Sequence, residues 1–224
     1  MPVAITTHPV YGLPPGTRRL DTFASRVIAS LPIVYWRMAE AAGASIAKDE
    51  MGAYDGTYSA ATLGVAPLRP ATANTSMSNS AGIGLQGPSF PSLTAWTIAL
   101  WVKSTTTTTF GFFLTLGETA GSMVRLGGGG AVVRYSEGTG WTSSAVPFAL
   151  NERAWFAVTW DGATGRIYKN GNYYAVTSRI NRNTEAAAWA VSGPNGSGTN
   201  VSDFAGWDRC LSAAEIKALF LASQ

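Results

Sequence analysis

A period-two alternation of apolar and polar positions dominates the middle of this chain. Between Thr94 and Lys103, the side chains of Trp96, Ile98, Leu100 and Val102 point one way, and those of Thr97, Ala99, Trp101 and Lys103 the other. The pattern predicts a strand over 94–103. A tryptophan on each face predicts that both faces are covered, as in two packed sheets. The most strongly patterned stretch runs from Trp155 to Tyr174. Residues 155–160 are aromatic or β-branched apart from Ala157 and read as a mostly buried strand. Asp161-Gly162 and Thr164-Gly165 supply a tight reversal, with Asp161 as a turn residue. Asn170-Gly171 then sits between 166–169 and 172–175 as a hairpin signal, because a type I′ turn needs two residues at positive φ. The expectation is a local antiparallel meander.

Weaker period-two runs predict strands at 33–38, 54–58, 82–85, 110–116, 122–126, 132–135, around Trp189 and at 201–207, with Gly87-Pro88 ending the third of these. Residues 59–80, rich in Ala, Thr, Ser, Asn and Pro, read as a loop with one edge strand at most. The four glycines 127–130 read as a hairpin turn; no helix with Lys and Ser/Thr in order follows, as a phosphate cradle would need. Helical spacing occurs twice. Phe23, Val27, Ile28 and Leu31 follow Asp21, a candidate N-cap, and precede Pro32, so a helix is expected at 22–30. Near the end, Ser212 and Glu215 form a capping box ahead of an apolar stripe of Ile216, Leu219 and Phe220 within 211–221. About a dozen short strands with two short helices make an all-β sandwich.

Composition adds bounds. With 224 residues, 46% of them hydrophobic and only 13% charged, the chain can bury one sizeable β core. Residues 1–20 hold four of the eleven prolines and read as an extended arm, leaving 21–224 as the domain. Cys210 is the single cysteine, so no intrachain disulfide can form. The net charge of +3 comes from scattered Lys and Arg without a basic run, which argues against nucleic acid as a partner. No apolar segment approaches the roughly 18 residues of a membrane span. The N-terminus lacks the basic and apolar regions of a secretory signal.

Candidate chemistry is sparse. Glycoside hydrolysis needs two carboxylates flanking one sugar bond, and the acids here are scattered, with Asp49-Glu50 adjacent and set to face opposite ways on a strand. His8, the single histidine, lies in the arm, and Cys210 has no nearby histidine to activate it. A non-enzyme is expected. Flat apolar rings suit sugar faces, but most aromatics here alternate within strands and are explained as core. The exceptions are Trp141, in the polar stretch 138–144, and the pair Tyr173-Tyr174, of which at least one must face away from its own sheet's interior. These three are candidate ligand or protein contacts, against packing as the ordinary explanation.

Four segments carry a family resemblance. They are Tyr35-Trp36-Arg37-Met38-Ala39-Glu40 with Asp55-Gly56-Thr57-Tyr58, Trp96 to Lys103, Trp155 to Gly171, and Asp203 to Ile216. In this order and spacing the chain from about 25 to 222 resembles the laminin-G-like, concanavalin A-like jelly-roll family. Ala99 stands where an acid is common. The resemblance implies a two-sheet antiparallel jelly-roll sandwich with a short N-terminal helix and a C-terminal helix. The fold hosts glycan-binding modules, glycosidases and structural domains, so it does not settle function. Family members often hold calcium through a carboxylate after the first strand and another on the last; the matching positions are Asp49 and Asp203. Phe204 follows Asp203 where a second acid is usual. Calcium stays open at this point, against turn-capping or solvated aspartates.

The layout is also similar to minor tail and head-decorating proteins of actinobacterial phages. Together these readings give the expectation of a non-enzymatic virion structural protein, in capsid or tail, made in the host cytoplasm. It would dock on other virion proteins through residues 1–20, form a homo-oligomer, and have cell-surface glycans as a further partner. The alternative is a carbohydrate-binding adhesion module of a cellular protein.

Overall fold

The computed structural model describes residues 21–70, 72–79, 83–105, 111–116, 124–129, 132–137, 140–141, 146–177, 187–191 and 199–224. The arm 1–20 with His8 lies outside the described residues. In chain order the elements begin α1 (Thr22–Ala29), β1 (Val34–Trp36), β2 (Ile46–Ala47), β3 (Gly56–Tyr58), β4 (Ala61–Val65), β5 (Ser76–Asn79) and β6 (Leu85–Phe90). They continue β7 (Trp96–Ser104), β8 (Gly111–Leu116), β9 (Val124–Gly129), β10 (Val132–Glu137), β11 (Gly140–Trp141) and β12 (Val146–Pro147). The last are β13 (Arg153–Trp160), β14 (Gly165–Lys169), β15 (Asn172–Thr177), β16 (Ala187–Val191), β17 (Thr199–Trp207) and α2 (Ala213–Ala222).

The strands form two antiparallel sheets. The first runs β15-β14-β13-β7-β17-β5-β4, with β1 also paired to β17. The second runs β11-β10-β9-β8-β16-β6-β3-β2, with β12 paired to β10. Long-range neighbours such as β7 and β17 alternate with local hairpins, as in a jelly-roll sandwich.

Alternation sorts the first sheet's side chains into two cores. Trp96, Ile98, Leu100 and Val102 of β7 join Phe156, Val158 and Trp160 of β13 in the core between the sheets, with Trp36, Phe90 and Trp189. Ala99, Trp101, Trp155, Ala157 and Trp207 point to the outer face, where Phe23 and Val27 of α1 and Ile216 and Leu219 of α2 pack on them. Both tryptophan-bearing faces of β7 are thus covered, but the two helices, not a sheet, cover the outer one. Glycines make room in the inner core. A Cβ on Gly206 would stand 2.5 Å from the Trp189 ring, and one on Gly87 would stand 2.4 Å from that of Trp36.

Local signals hold closely. Asp21 caps α1, its carboxylate accepting from Ala24 N at 2.8 Å, and Ser212 and Glu215 form the capping box of α2. Asn170 and Gly171 take φ of 53° and 70° between β14 and β15, matching the two positive-φ residues that a type I′ turn needs. Asp161 closes its turn by accepting from the N–H groups of Ala163 and Thr164.

Three expectations change. Residues 59–80 contain two strands, not a loop with one: β4 forms the sheet edge and β5 pairs with both β4 and β17. Their Ser, Thr and Asn side chains hide the alternation, because polar groups that find partners can sit on a buried face. Gly127 to Gly129 lie inside β9, paired to β10 and β8, and are not the turn itself. Gly87-Pro88 does not end β6, which continues to Phe90. The register against β16 shifts between Ala188 and Ala190, an irregularity of the kind that tolerates a proline without an N–H.

Candidate functional site

Two features of the described surface and interior bear on function. The first is a charged cluster around Tyr35. Tyr35 is fully buried on β1, and burial together with the neighbouring Asp203 carboxylate pushes its phenol well above the ordinary value of 10.0. The hydroxyl therefore stays protonated and donates to Asp203 Oδ1 at 2.8 Å. Asp203 sits where β17 bulges against β7, between Ser202 and Ala205, in the left-handed region at φ 53°. Its other oxygen, Oδ2, accepts from Arg69 Nε at 2.9 Å, and Asn74 Nδ2 donates to Oδ1 at 3.3 Å.

Arg69 comes from the connection between β4 and β5 and is only 4% exposed. Its Nη2 donates to Asp21 Oδ2, the cap of α1, and to Thr72 Oγ1 at 3.3 Å. Arg37 Nη2 reaches Asp21 Oδ2 at 3.4 Å, and Arg37 Nη1 lies 3.7 Å from Glu50. Burial alone would raise the Asp21 pKa. The Arg69 hydrogen bond, the Ala24 N–H and the charges of Arg69 and Arg37 outweigh it and hold the carboxyl below its ordinary 3.8.

Asp49 stands on the other side of Tyr35. Its Oδ1 accepts from Tyr35 N at 2.8 Å and Met51 N at 3.0 Å, and its Oδ2 from Ala53 N at 3.0 Å and Tyr54 N at 2.9 Å. Four backbone donors fill its acceptor sites, and the side chain is a staple that closes the turn between β2 and β3 and ties it to β1.

This arrangement does not fit calcium at Asp49 and Asp203. Calcium needs six to eight oxygen ligands with free lone pairs. Here the oxygens of Asp49 are taken by N–H groups and those of Asp203 by a guanidinium, a phenol and an amide. The two carboxylates also bond opposite ends of Tyr35, one its backbone N and the other its hydroxyl. No group of three or more acidic, His or Cys side chains fit for a metal occurs among the described residues. Of the two readings left open by the sequence, the hydrogen bonds favour turn-stapling for Asp49 and ion-pairing for Asp203.

The second feature is β15, one of the two terminal strands of the first sheet among the described residues. Tyr173 and Tyr174 on β15 are 51% and 48% exposed, the two rings that the alternation singled out. The register against β14 shifts between Ile167 and Tyr168, so that Tyr174 is the extra residue of a bulge on β15 with no partner position on β14. Tyr173 leans edge-on against Tyr168 at 5.9 Å, which steadies its ring. Beside them Lys217 Nζ of α2 donates to Asn172 Oδ1 at 2.9 Å, giving the rings a polar border.

Trp141 occupies β11, the edge strand of the second sheet, opposite Ser136 of β10; its side chain lies outside the described residues. Lys169 of β14 donates to Pro147 O of β12, which is paired to β10. The edges bearing Tyr173-Tyr174 and Trp141 therefore lie on the same flank of the sandwich. Among the described side chains the carboxylates are mostly engaged within the chain, as with Asp161 on Arg166, Glu152 on Lys169, and Glu215 on Arg209 and Ser212.

The sequence profile of the Concanavalin A-like lectin/glucanases superfamily matches residues 77–217. A search of curated proteins returned no significant match. Among solved structures, Trypanosoma rangeli sialidase in complex with 2,3-difluorosialic acid superposes with a TM-score of 0.64 at 15% identity. That alignment covers 86% of this chain and 33% of the sialidase. A mutant of the same sialidase displaying trans-sialidase activity gives a TM-score of 0.65 at 16% identity, over 88% of this chain and 33% of that one. The receptor-binding domain of botulinum neurotoxin type G gives 0.62 at 12% identity, over 85% of this chain and 51% of that domain. This chain thus spans about a third of the sialidases and half of the toxin domain. At these identities the likeness is one of fold.

Proposed function

We propose, from the premise that this chain belongs to the Concanavalin A-like lectin/glucanases superfamily, that it is a non-catalytic carbohydrate-binding module working within a virion. The observation that carries the binding half is the adjacent pair of half-exposed tyrosines on the edge strand β15. Two rings whose apolar faces reach solvent at a rigid sheet edge, bordered by Asn172 and Lys217, suit the apolar face and the hydroxyls of a pyranose. The non-catalytic half is supported by the described carboxylates, most of which already hold donors from their own chain, unlike the free acid and base of glycoside hydrolysis.

Glycan-array binding by the domain tests this reading. Tyr173→Ala and Tyr174→Ala are each expected to weaken binding about tenfold, the equivalent of about 1.4 kcal/mol. Both should leave the melting temperature near wild type, since both rings are half exposed. Unchanged binding in both variants removes the edge from consideration.

The virion setting is supported by the phage-like motif layout and by an arm with four prolines in twenty residues, suited to lying extended on a neighbouring subunit. Deleting residues 1–20 is expected to abolish incorporation into particles while leaving the melting temperature of the rest unchanged. Particles that still take up the truncated chain would reject the arm as the docking element, and absence of the full-length chain from particles would favour the cellular adhesion module instead.

A further inference from the structure

We propose that Arg69 is the resident cation of this domain: its guanidinium does the charge-neutralising and loop-pinning work that a bound divalent ion would otherwise do, and the fold needs no such ion. Three observations carry this. The side chain is 3% exposed, so its charge must be compensated within the protein. Its planar fork spans two carboxylates from distant parts of the chain, Nε on Asp203 of β17 and Nη2 on Asp21 at the start of α1, while its flat face lies 4.8 Å from the Phe23 ring. Finally, the groups around it are hydrogen-bond donors facing carboxylates. Tyr35 Oη and Asn74 Nδ2 complete the shell of Asp203.

Charge balance follows from this shell. Arg37 and Arg69 face the carboxylates of Asp21, Glu50 and Asp203, a sum of one negative charge. Without Arg69 the sum is two negative charges, with Asp203 buried and missing its main partner. A guanidinium supplies the missing charge permanently, and its fork also ties the β4–β5 connection to the cap of α1 and the bulge of β17. A metal ion would have to displace donors already in place.

The test reads the melting temperature. The wild-type domain is expected to melt at the same temperature in chelator and in millimolar calcium or magnesium; a rise with either ion overturns the proposal. Arg69→Met keeps the packing stem on Phe23 and removes the charge, and should lower the melting temperature by several degrees. Adding Asp203→Asn to Arg69→Met removes the stranded charge, so the double variant should melt higher than Arg69→Met alone. A double variant no more stable than the single, or an Arg69→Met that melts like wild type, means that Arg69 acts through packing and overturns the proposal. The wild-type ion arm stands even if a variant fails to fold.

Discussion

Trp36→Ala lowers the unfolding free energy by about 4 kcal/mol, in the range for deleting a buried aromatic ring. Trp36 is fully buried at the centre of the inter-sheet core. It stacks on Phe204 of β17 at 5.2 Å, meets Phe90 of β6 edge-on at 6.0 Å, and donates from Nε1 to Tyr54 O at 2.7 Å. One ring therefore joins the two sheets and anchors the segment before β3. Removal leaves a cavity between rigid sheets that cannot close, and strands the Tyr54 carbonyl. For a domain of this size the melting temperature should fall by roughly 8–16 °C. Gly87→Ala attacks the same contact from the other side, since its Cβ would stand 2.4 Å from the ring. Urea denaturation of both variants checks the argument; a loss below about 1.5 kcal/mol for Trp36→Ala would show that the core reseals.

Asp49→Ala costs about 3 kcal/mol or more, because the N–H groups of Tyr35, Met51, Ala53 and Tyr54 lose a charged acceptor together. Asp49 is 6% exposed, so water replaces it poorly. Asp49→Asn keeps one carbonyl oxygen and should lose about half as much. Chemical denaturation in chelator and in calcium discriminates between the turn staple and a metal ligand. The staple predicts equal losses in the two, and a loss seen only with calcium would reject it.

The contrast between Asp49 and Tyr173-Tyr174 shows where sequence reading reaches. The tyrosines could be found because alternation is local: two successive aromatics on a strand cannot both face its interior, and both are half exposed. Asp49 and Asp203 could be picked out as special, but not assigned a role. The role of Asp203 depends on Arg69, which lies 134 residues away in a stretch that reads as loop, and that of Asp49 on backbone N–H groups that converge only in the folded turn. A buried arginine leaves no periodic mark, and neither do strands built from Ser, Thr and Asn. Gly171 offers a mixed case. Its positive φ was legible from Asn170-Gly171, yet a Cβ there would also stand 2.9 Å from Phe220 of α2, a second reason for glycine that the hairpin signal does not contain.

Short-range chemistry was enough to specify the strands of the central meander, both helix caps and the all-β class, because period, capping and turn geometry act over two to four residues. Folding decided the rest. It placed α1 and α2, in place of a third layer of strands, over Trp101 and Trp155. It turned Arg69 inward as the partner of two aspartates. It also brought the β15 and β11 edges to one flank. Each of these depends on contacts between residues far apart in the chain, whose pairing energy exists only once both sheets are assembled.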